Sequence, residues 1–208
     1  MDGQPDMAPD HLARALEAVT AWLKQSRLKL NPVKTEVLQL GRGLPDVGIQ
    51  LPALDGTPLA TLPVVKSLGV LLDVSLSMEV QVTAVAKSAF FHLCQIRQLA
   101  PYLTPQDLVT VTHATVTSRL DYCNSFYAGL PLGVIRKLQL VQNAAAQVLT
   151  GISYQSHITP VLRQLHWLPV EFRIMFKVLV LTFKALSGLG PAYLRDRLSL
   201  YVPRRPLR

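Results

Sequence analysis

Ser67-Leu68-Gly69-Val70-Leu71-Leu72-Asp73-Val74-Ser75-Leu76-Ser77-Met78 spans the change of character that decides the fold. Up to Asp73 the apolar residues come in short extended runs. Beyond it Val82, Val85, Ala89, Leu93 and Ile96 recur at three- and four-residue intervals, the mark of one helix face. Ser77 is placed to cap that helix and Pro101 to end it, since proline has no amide hydrogen for the helical ladder. A domain seam is therefore expected near Asp73, with a mixed helix-and-strand region at 1–73 and an all-helical one at 74–198.

Toward the amino terminus, Leu12, Leu16, Val19 and Leu23 fall at helical spacing, with Trp22 widening the stripe. Asp10 is expected as its N-cap and Asn31-Pro32 as its end. Thr35 to Leu40 alternates as a strand does, and Gly41-Arg42-Gly43 punctuates it. Extended runs at Val47–Leu51 and Leu59–Val65 flank the turn signal Asp55-Gly56, and Ser67–Leu72 reads as a further strand. Together these predict one helix in front of a small antiparallel sheet.

Toward the carboxy terminus the helix signals are sharper. Thr104-Pro105-Gln106-Asp107 sets an N-cap residue, an N1 proline and an acid in one turn. Pro131 opens a helix lined by Ile135, Leu138, Val141, Ala145 and Leu149, which Gly151 is placed to close in a left-handed cap. Thr159-Pro160 begins a short helix. Trp167-Leu168-Pro169 precedes the most apolar helix, Val170 to Leu186, which stops near Gly188. Pro191 to Leu198 is expected as a last short helix, and 199–208 as a basic tail or linker.

Half of the 208 residues are hydrophobic and 16% are charged, a balance that excludes a chain too polar to repay its ordering entropy. Cys94 and Cys123 lie far apart in apolar stretches and are read as reduced core residues. Met1 to Asp10 is acidic and lacks the basic start and apolar centre of a secretory signal, so an intracellular protein is expected. Val170–Leu186 carries Glu171, Arg173, Lys177 and Lys184, charges too costly at bilayer depth for a membrane span.

The net charge of +8 is unevenly placed. Residues 1–130 hold 10 Lys and Arg against 11 Asp and Glu, whereas residues 131–208 hold 11 against 2. A basic final third fits a polyanion partner, because Lys and Arg that neutralise phosphates release condensed counterions. A solvated basic face has the same pattern. Arg173, Lys177 and Lys184, at offsets of four and seven, share one side of their helix, and Arg136, Lys137, Arg195, Arg197, Arg204 and Arg205 add to the field.

Trp22-Leu23-Lys24-Gln25-Ser26-Arg27-Leu28-Lys29-Leu30-Asn31-Pro32-Val33-Lys34-Thr35-Glu36-Val37-Leu38 resembles motif D of non-LTR (LINE-type) retrotransposon reverse transcriptases. Ser67 to Asp73 resembles motif E, the strand turn that grips a primer end, which makes Leu68 and Gly69 primer-grip-like. Thr117-Ser118-Arg119-Leu120-Asp121-Tyr122-Cys123-Asn124, Leu138 to Ala145, His157-Ile158-Thr159-Pro160 and Leu165 to Val170 resemble the thumb of chicken-repeat LINE elements. The resemblance covers about residues 10–208. It implies an α+β fold: a partial palm remnant of helix and small antiparallel sheet, then an all-helical thumb bundle.

The same resemblance sets the functional expectation. These RNA-directed DNA polymerases join nucleotides with two metal ions held by aspartates. The aromatic-x-Asp-Asp motif lies upstream of motif D, and this sequence contains no Asp-Asp pair. The chain is expected to begin after the catalytic aspartates, to have no polymerase activity alone, and to need no cofactor or metal of its own. Lys34 matches the motif D lysine thought to protonate pyrophosphate in related polymerases, but here it is expected only to contact nucleic acid. An RNA or DNA primer-template is the implied partner, the nucleus is the implied compartment, and exposed sheet edges are expected to favour self-association. Two alternatives stay open: a helical protein-interaction module, and an enzyme fragment active only with the missing palm.

Other chemistries find little support in the spacing. His92, Cys94, His113 and Cys123 form no local zinc pattern, neither thiol has a base placed beside it by a motif, and Gly41-Arg42-Gly43 lacks the length and the Lys-Ser/Thr ending of a phosphate loop.

Overall fold

The computed structural model describes residues 8–41, 53–54 and 56–199. It is mostly helical, at 62%, with two small antiparallel two-stranded sheets, so the α+β class holds in its general form. The chain divides into two compact units, Met1–Val80 and Gln81–Arg208.

The first unit opens on α1 (Ala8–Gln25), which places Asp10 in its first turn rather than at the N-cap. The helix ends well before Asn31-Pro32. The amide of Arg27 donates to Lys24 O and that of Leu28 to Leu23 O, the paired bonds of a Schellman cap, with Arg27 in the left-handed region at φ 56°. A glycine is the usual occupant there, so no sequence signal marked the stop. Asn31 instead caps the short 3-10 turn Pro32–Lys34, its side chain accepting from the Val33 amide. The apolar stripe of α1 is only partly covered: Leu12, Leu16 and Leu23 are half-buried, while Val19 and Trp22 are exposed.

Strands are shorter than the alternation predicted. Thr35–Leu40 forms one parallel bridge, Val37 to Thr61, and no strand. β1 (Ala53–Leu54) and β2 (Thr57–Pro58) pair antiparallel, with Gly56 between them at φ 76°, closer to the expected turn than foreseen; Asp55 and the run at 47–51 lie outside the described residues. β3 (Val64–Ser67) and β4 (Val70–Asp73) form a separate hairpin, in register from Val64 opposite Asp73 to Ser67 opposite Val70. Leu68 and Gly69 are thus the turn rather than strand residues, with φ of 46° and 84°, as a type I′ turn requires.

Asp73 ends that hairpin and anchors the start of the next helix. Its carboxylate accepts from the amides of Ser75, Ser77 and Met78 and from both serine hydroxyls, at 2.6–3.1 Å. Ser77 Oγ in turn accepts from the Glu79 amide, the first of α2 (Glu79–Leu99). The predicted serine cap is present, with a buried carboxylate behind it.

In the second unit α2 buries Val82, Ala86, Ala89, Leu93 and Ile96 and gives way at Ala100 to a 3-10 turn containing Pro101. Cys94, one position beyond Leu93 and so about a quarter-turn off the stripe, is exposed, and Cys123 is half-buried; both are free thiols, not core residues. α3 (Pro105–Thr112) starts as its signal predicted, with Thr104 Oγ1 accepting from the Asp107 amide. A π-helical turn, His113–Thr117, joins it to α4 (Ser118–Asp121).

α5 (Leu132–Thr150) is the central element. Ile135, Leu138, Val141 and Ala145 are buried, and Gly151 closes it at φ 67°. α6 (Ile158–Gln164) packs on it through Val161, Leu162 and Ala146, joined by Trp167, whose ring meets His113 edge-on at 5.6 Å. α7 (Val170–Leu186) contacts α4, α5 and the 3-10 turn Asn124–Tyr127. α8 is only Ala192–Arg195, shorter than Pro191–Leu198, and it packs on α7. From residue 200 the expected tail, with Arg204 and Arg205, lies outside the described residues.

Candidate nucleic-acid interface

Gln139 and Gln142, one helical turn apart on α5, set where α7 begins. Gln142 is fully buried, and its Nε2 donates to Leu168 O at 2.8 Å while its Oε1 accepts from Gln139 Nε2 at 3.0 Å. Gln139 Oε1 accepts from the Val170 amide at 2.8 Å. That amide opens α7 behind Pro169, where a helix has no partner of its own. Two side chains from α5 therefore hold both ends of the Leu168–Val170 turn.

The turn before it is fixed differently. His166 donates its amide to Arg163 O and Trp167 to Leu162 O, a second Schellman cap with His166 left-handed at φ 55°. The imidazole is thereby brought beside α7. Arg173, one turn into α7, reaches the end of α4, its Nη1 3.3 Å from Asp121 Oδ1.

These constraints leave a cleft of about 260 Å³ lined by Asp121, Asn124, His166, Arg173, Phe176 and Lys177, among others. Asn124 is 2% exposed, yet its Oδ1 has no hydrogen-bond partner. A buried amide oxygen normally finds one, because leaving it dry costs about 1–3 kcal/mol. Phe176, by contrast, is 59% exposed at the rim. The cleft thus combines an aromatic face, a cation and an ion pair, while the unpartnered Asn124 oxygen is itself closed to solvent.

The predicted basic residues are not all gathered here. Arg173 and Lys177 line the cleft, but Arg173 is half-buried and committed to Asp121, so it is a tether with spare N–H groups rather than the open phosphate ligand expected. Lys184 is exposed two turns further along α7. Arg136 and Lys137 are exposed on the first turns of α5, where Lys137 Nζ donates to Thr83 Oγ1 at 3.1 Å. Arg195 and Arg197 are exposed around α8, with Arg195 3.9 Å from Asp196. In the first unit Lys34 is exposed on the 3-10 turn that Asn31 caps, and Leu68 projects from the hairpin tip, 89% exposed.

Sequence reading missed Asn124, His166, Phe176 and the glutamine pair. Gln142 sits directly beside Val141, so periodicity alone assigned it no role. Among the described residues no three His, Cys, Asp or Glu side chains gather as a metal site, and no described helix is long and apolar enough to cross a membrane. Comparison with protein-family models, with curated proteins and with solved structures returned no match.

Proposed function

We propose that this chain is a nucleic-acid-binding piece of a non-LTR reverse transcriptase, comprising a motif D and E region and a thumb, that lacks polymerase activity alone and holds a primer-template through phosphate contacts. The observation that carries this reading is the basic bias of the chain's last third, with Lys177 at the cleft and Lys184 exposed two turns further along the same helix. The resemblance of the Trp22–Leu38 and Ser67–Asp73 segments supports it from the sequence side. So does the hairpin tip, where a leucine occupies a left-handed position and is exposed, an arrangement that burial does not explain.

Titration of the whole chain against a labelled RNA–DNA primer-template at several salt concentrations, with magnesium and nucleotides present, tests this. The logarithm of affinity is expected to fall linearly with the logarithm of salt, without extension product. Lys177→Glu with Lys184→Glu is expected to reduce the slope by about 1 for each phosphate no longer neutralised. Arg173 is kept as it is, since its loss strands Asp121. Salt-insensitive binding would point to another partner, and extended primer would overturn the inactive assignment.

A second reading is favoured by one feature. Phe172, Leu179 and Leu186 follow each other at seven residues on α7, as do Phe176 and Phe183, and all five are exposed. Spacing by seven is what lets one helix lie along another, and a second copy offers the same seam. At concentrations on the order of 50 µM, light scattering is expected to show a mass above the monomer's, reduced by Phe172→Glu with Phe183→Glu. A strict monomer at that concentration removes this reading.

A further inference from the structure

We infer that α7 is the seam of an antiparallel two-fold dimer, and that pairing sets Lys177 and Lys184 of both copies on one face, where a nucleic-acid backbone can lie across the two chains. This rests on the self-association reading above and deepens it; the use of the shared face rests in addition on nucleic-acid binding.

Phe172, Phe176, Leu179, Phe183 and Leu186 are separated by four, three, four and three residues, the alternation of a coiled-coil seam, with Phe172 and the leucines at d and the other phenylalanines at a. All of them are between 48% and 63% exposed, whereas Val170, Ile174 and Ala185, on the other side of the helix, are buried. Aromatic side chains present roughly 150–250 Å² each, so the stripe with Met175 leaves on the order of 600 Å² bare per copy. That is as large as the largest patch of an ordinary monomer, and two such faces give about 1,200 Å², the lower end of stable interfaces. The area supports a weak but specific pair.

The flanks of the stripe favour a second copy over a foreign helix. Coiled-coil chains that select a different partner do so through charges at e and g. Here those positions hold Met175, Val180, Thr182 and Ser187, together with Arg173, whose guanidinium is engaged by Asp121. A second copy brings the same neutral flanks.

Side-chain size sets the orientation. In a parallel pair each residue meets its own copy, so layers of paired phenylalanine alternate with layers of paired leucine. In an antiparallel pair an a residue meets a d residue. Phe176 then lies beside the partner's Leu186 and Phe183 beside the partner's Leu179, which keeps the volume even along the seam. The helix dipoles also oppose one another in this arrangement. The two-fold axis passes level with Leu181. At 1.5 Å per residue, Lys177 and Lys184 of the two copies fall within about 12 Å along the pair, and an antiparallel two-fold brings like flanks together on one face. A parallel pair would set them on opposite faces.

Cysteine cross-linking of the whole chain, in a Cys94→Ser, Cys123→Ser background, tests the seam at concentrations on the order of 50 µM. Phe176→Cys and Leu186→Cys chains are each expected to stay unlinked on mild oxidation, since each site stands about 15 Å from its own copy, and to form a disulfide dimer when mixed. Val33→Cys, on an exposed position of the first unit, gives the rate of chance collision. Self-linking of each single variant, with none between the two in the mixture, would mean a parallel pair and overturn the orientation and the shared face. No linking above the Val33→Cys rate overturns the seam. Raising the salt concentration is expected to strengthen the dimer, by screening the lysines, while weakening primer-template binding. Leu179→Gln, which adds no charge, is expected to give a monomer whose salt slope for the primer-template is lower by about 2, for the ammonium groups that the partner no longer supplies. An unchanged slope in that monomer overturns the shared face and leaves the seam standing. A cross-linked dimer that binds no primer-template removes the nucleic-acid reading, and the shared face with it, while the seam remains.

Discussion

Gln142→Ala is expected to destabilise the helical unit by about 3 kcal/mol, a loss of roughly a hundredfold in the folding equilibrium. The side chain is fully buried, and alanine removes both the donor to Leu168 O and the acceptor for Gln139 Nε2. Gln139, freed from its neighbour, holds the Val170 amide less firmly, so the start of α7 loosens as well. A cavity the size of the missing amide adds its own cost. Gln142→Met, which keeps the volume and loses the hydrogen bonds, is expected to recover about half of the loss. Urea titration followed by circular dichroism measures both, with the slope unchanged if only stability has moved. A cost below about 0.5 kcal/mol for the alanine variant would mean that the glutamine pair does not set the position of α7.

Asp73→Ala is expected to be nearly as damaging, at about 2–3 kcal/mol, because five donors lose one acceptor at the start of α2. This change also carries a pH signature. Burial pushes the Asp73 carboxyl up, but hydrogen bonds from the side chains and amides of Ser75 and Ser77 outweigh it and hold the group at about 2, below the ordinary 3.8. The unfolded chain therefore takes up this proton before the folded one does. The contribution, roughly 2 kcal/mol, is complete above the unfolded value and is lost as pH falls from there through about 2. Melts of the whole chain at a series of acid pH values are expected to show that limb, and Asp73→Asn, which has nothing to titrate, to flatten it. An acid limb of equal depth in the asparagine variant would assign it to other carboxyl groups.

Both sites show how far local sequence chemistry reaches. The start of α3 was legible because Thr104, Pro105 and Asp107 act within a single turn, and the end of α5 because Gly151 alone among its neighbours takes a left-handed conformation without strain. α7 was bounded to the residue by Pro169 and the apolar run behind it. The ends of α1 and α6 were not legible, since Arg27 and His166 occupy the cap position where glycine is the recognisable signal. The apolar stripe of α1 was legible from its spacing, yet Val19 and Trp22 stay exposed, because periodicity reports which face is apolar and not whether anything covers it.

The α7 helix makes the same point for function. Its spacing placed Arg173, Lys177 and Lys184 on one side, but it could not distinguish a tethered guanidinium from an open ammonium. Only the approach of Asp121, from an element far earlier in the chain, assigns Arg173 to the ion pair. The cleft itself draws residues from the end of α4, the turn after it, the cap of α6 and the first turns of α7. No window of sequence contains it.

By itself, then, the sequence determined the helical character of the second unit, the caps that act within one turn and the basic bias of the last third, because each depends on the intrinsic preferences or charges of neighbouring residues. Tertiary structure alone decided that Gln142 is buried, that Arg173 is paired, that most of the apolar face of α7 is left uncovered and that the Asn124 amide oxygen is buried without a donor. Those outcomes depend on which surfaces meet across long stretches of chain, and packing at that range is a property of the whole fold rather than of any segment in it.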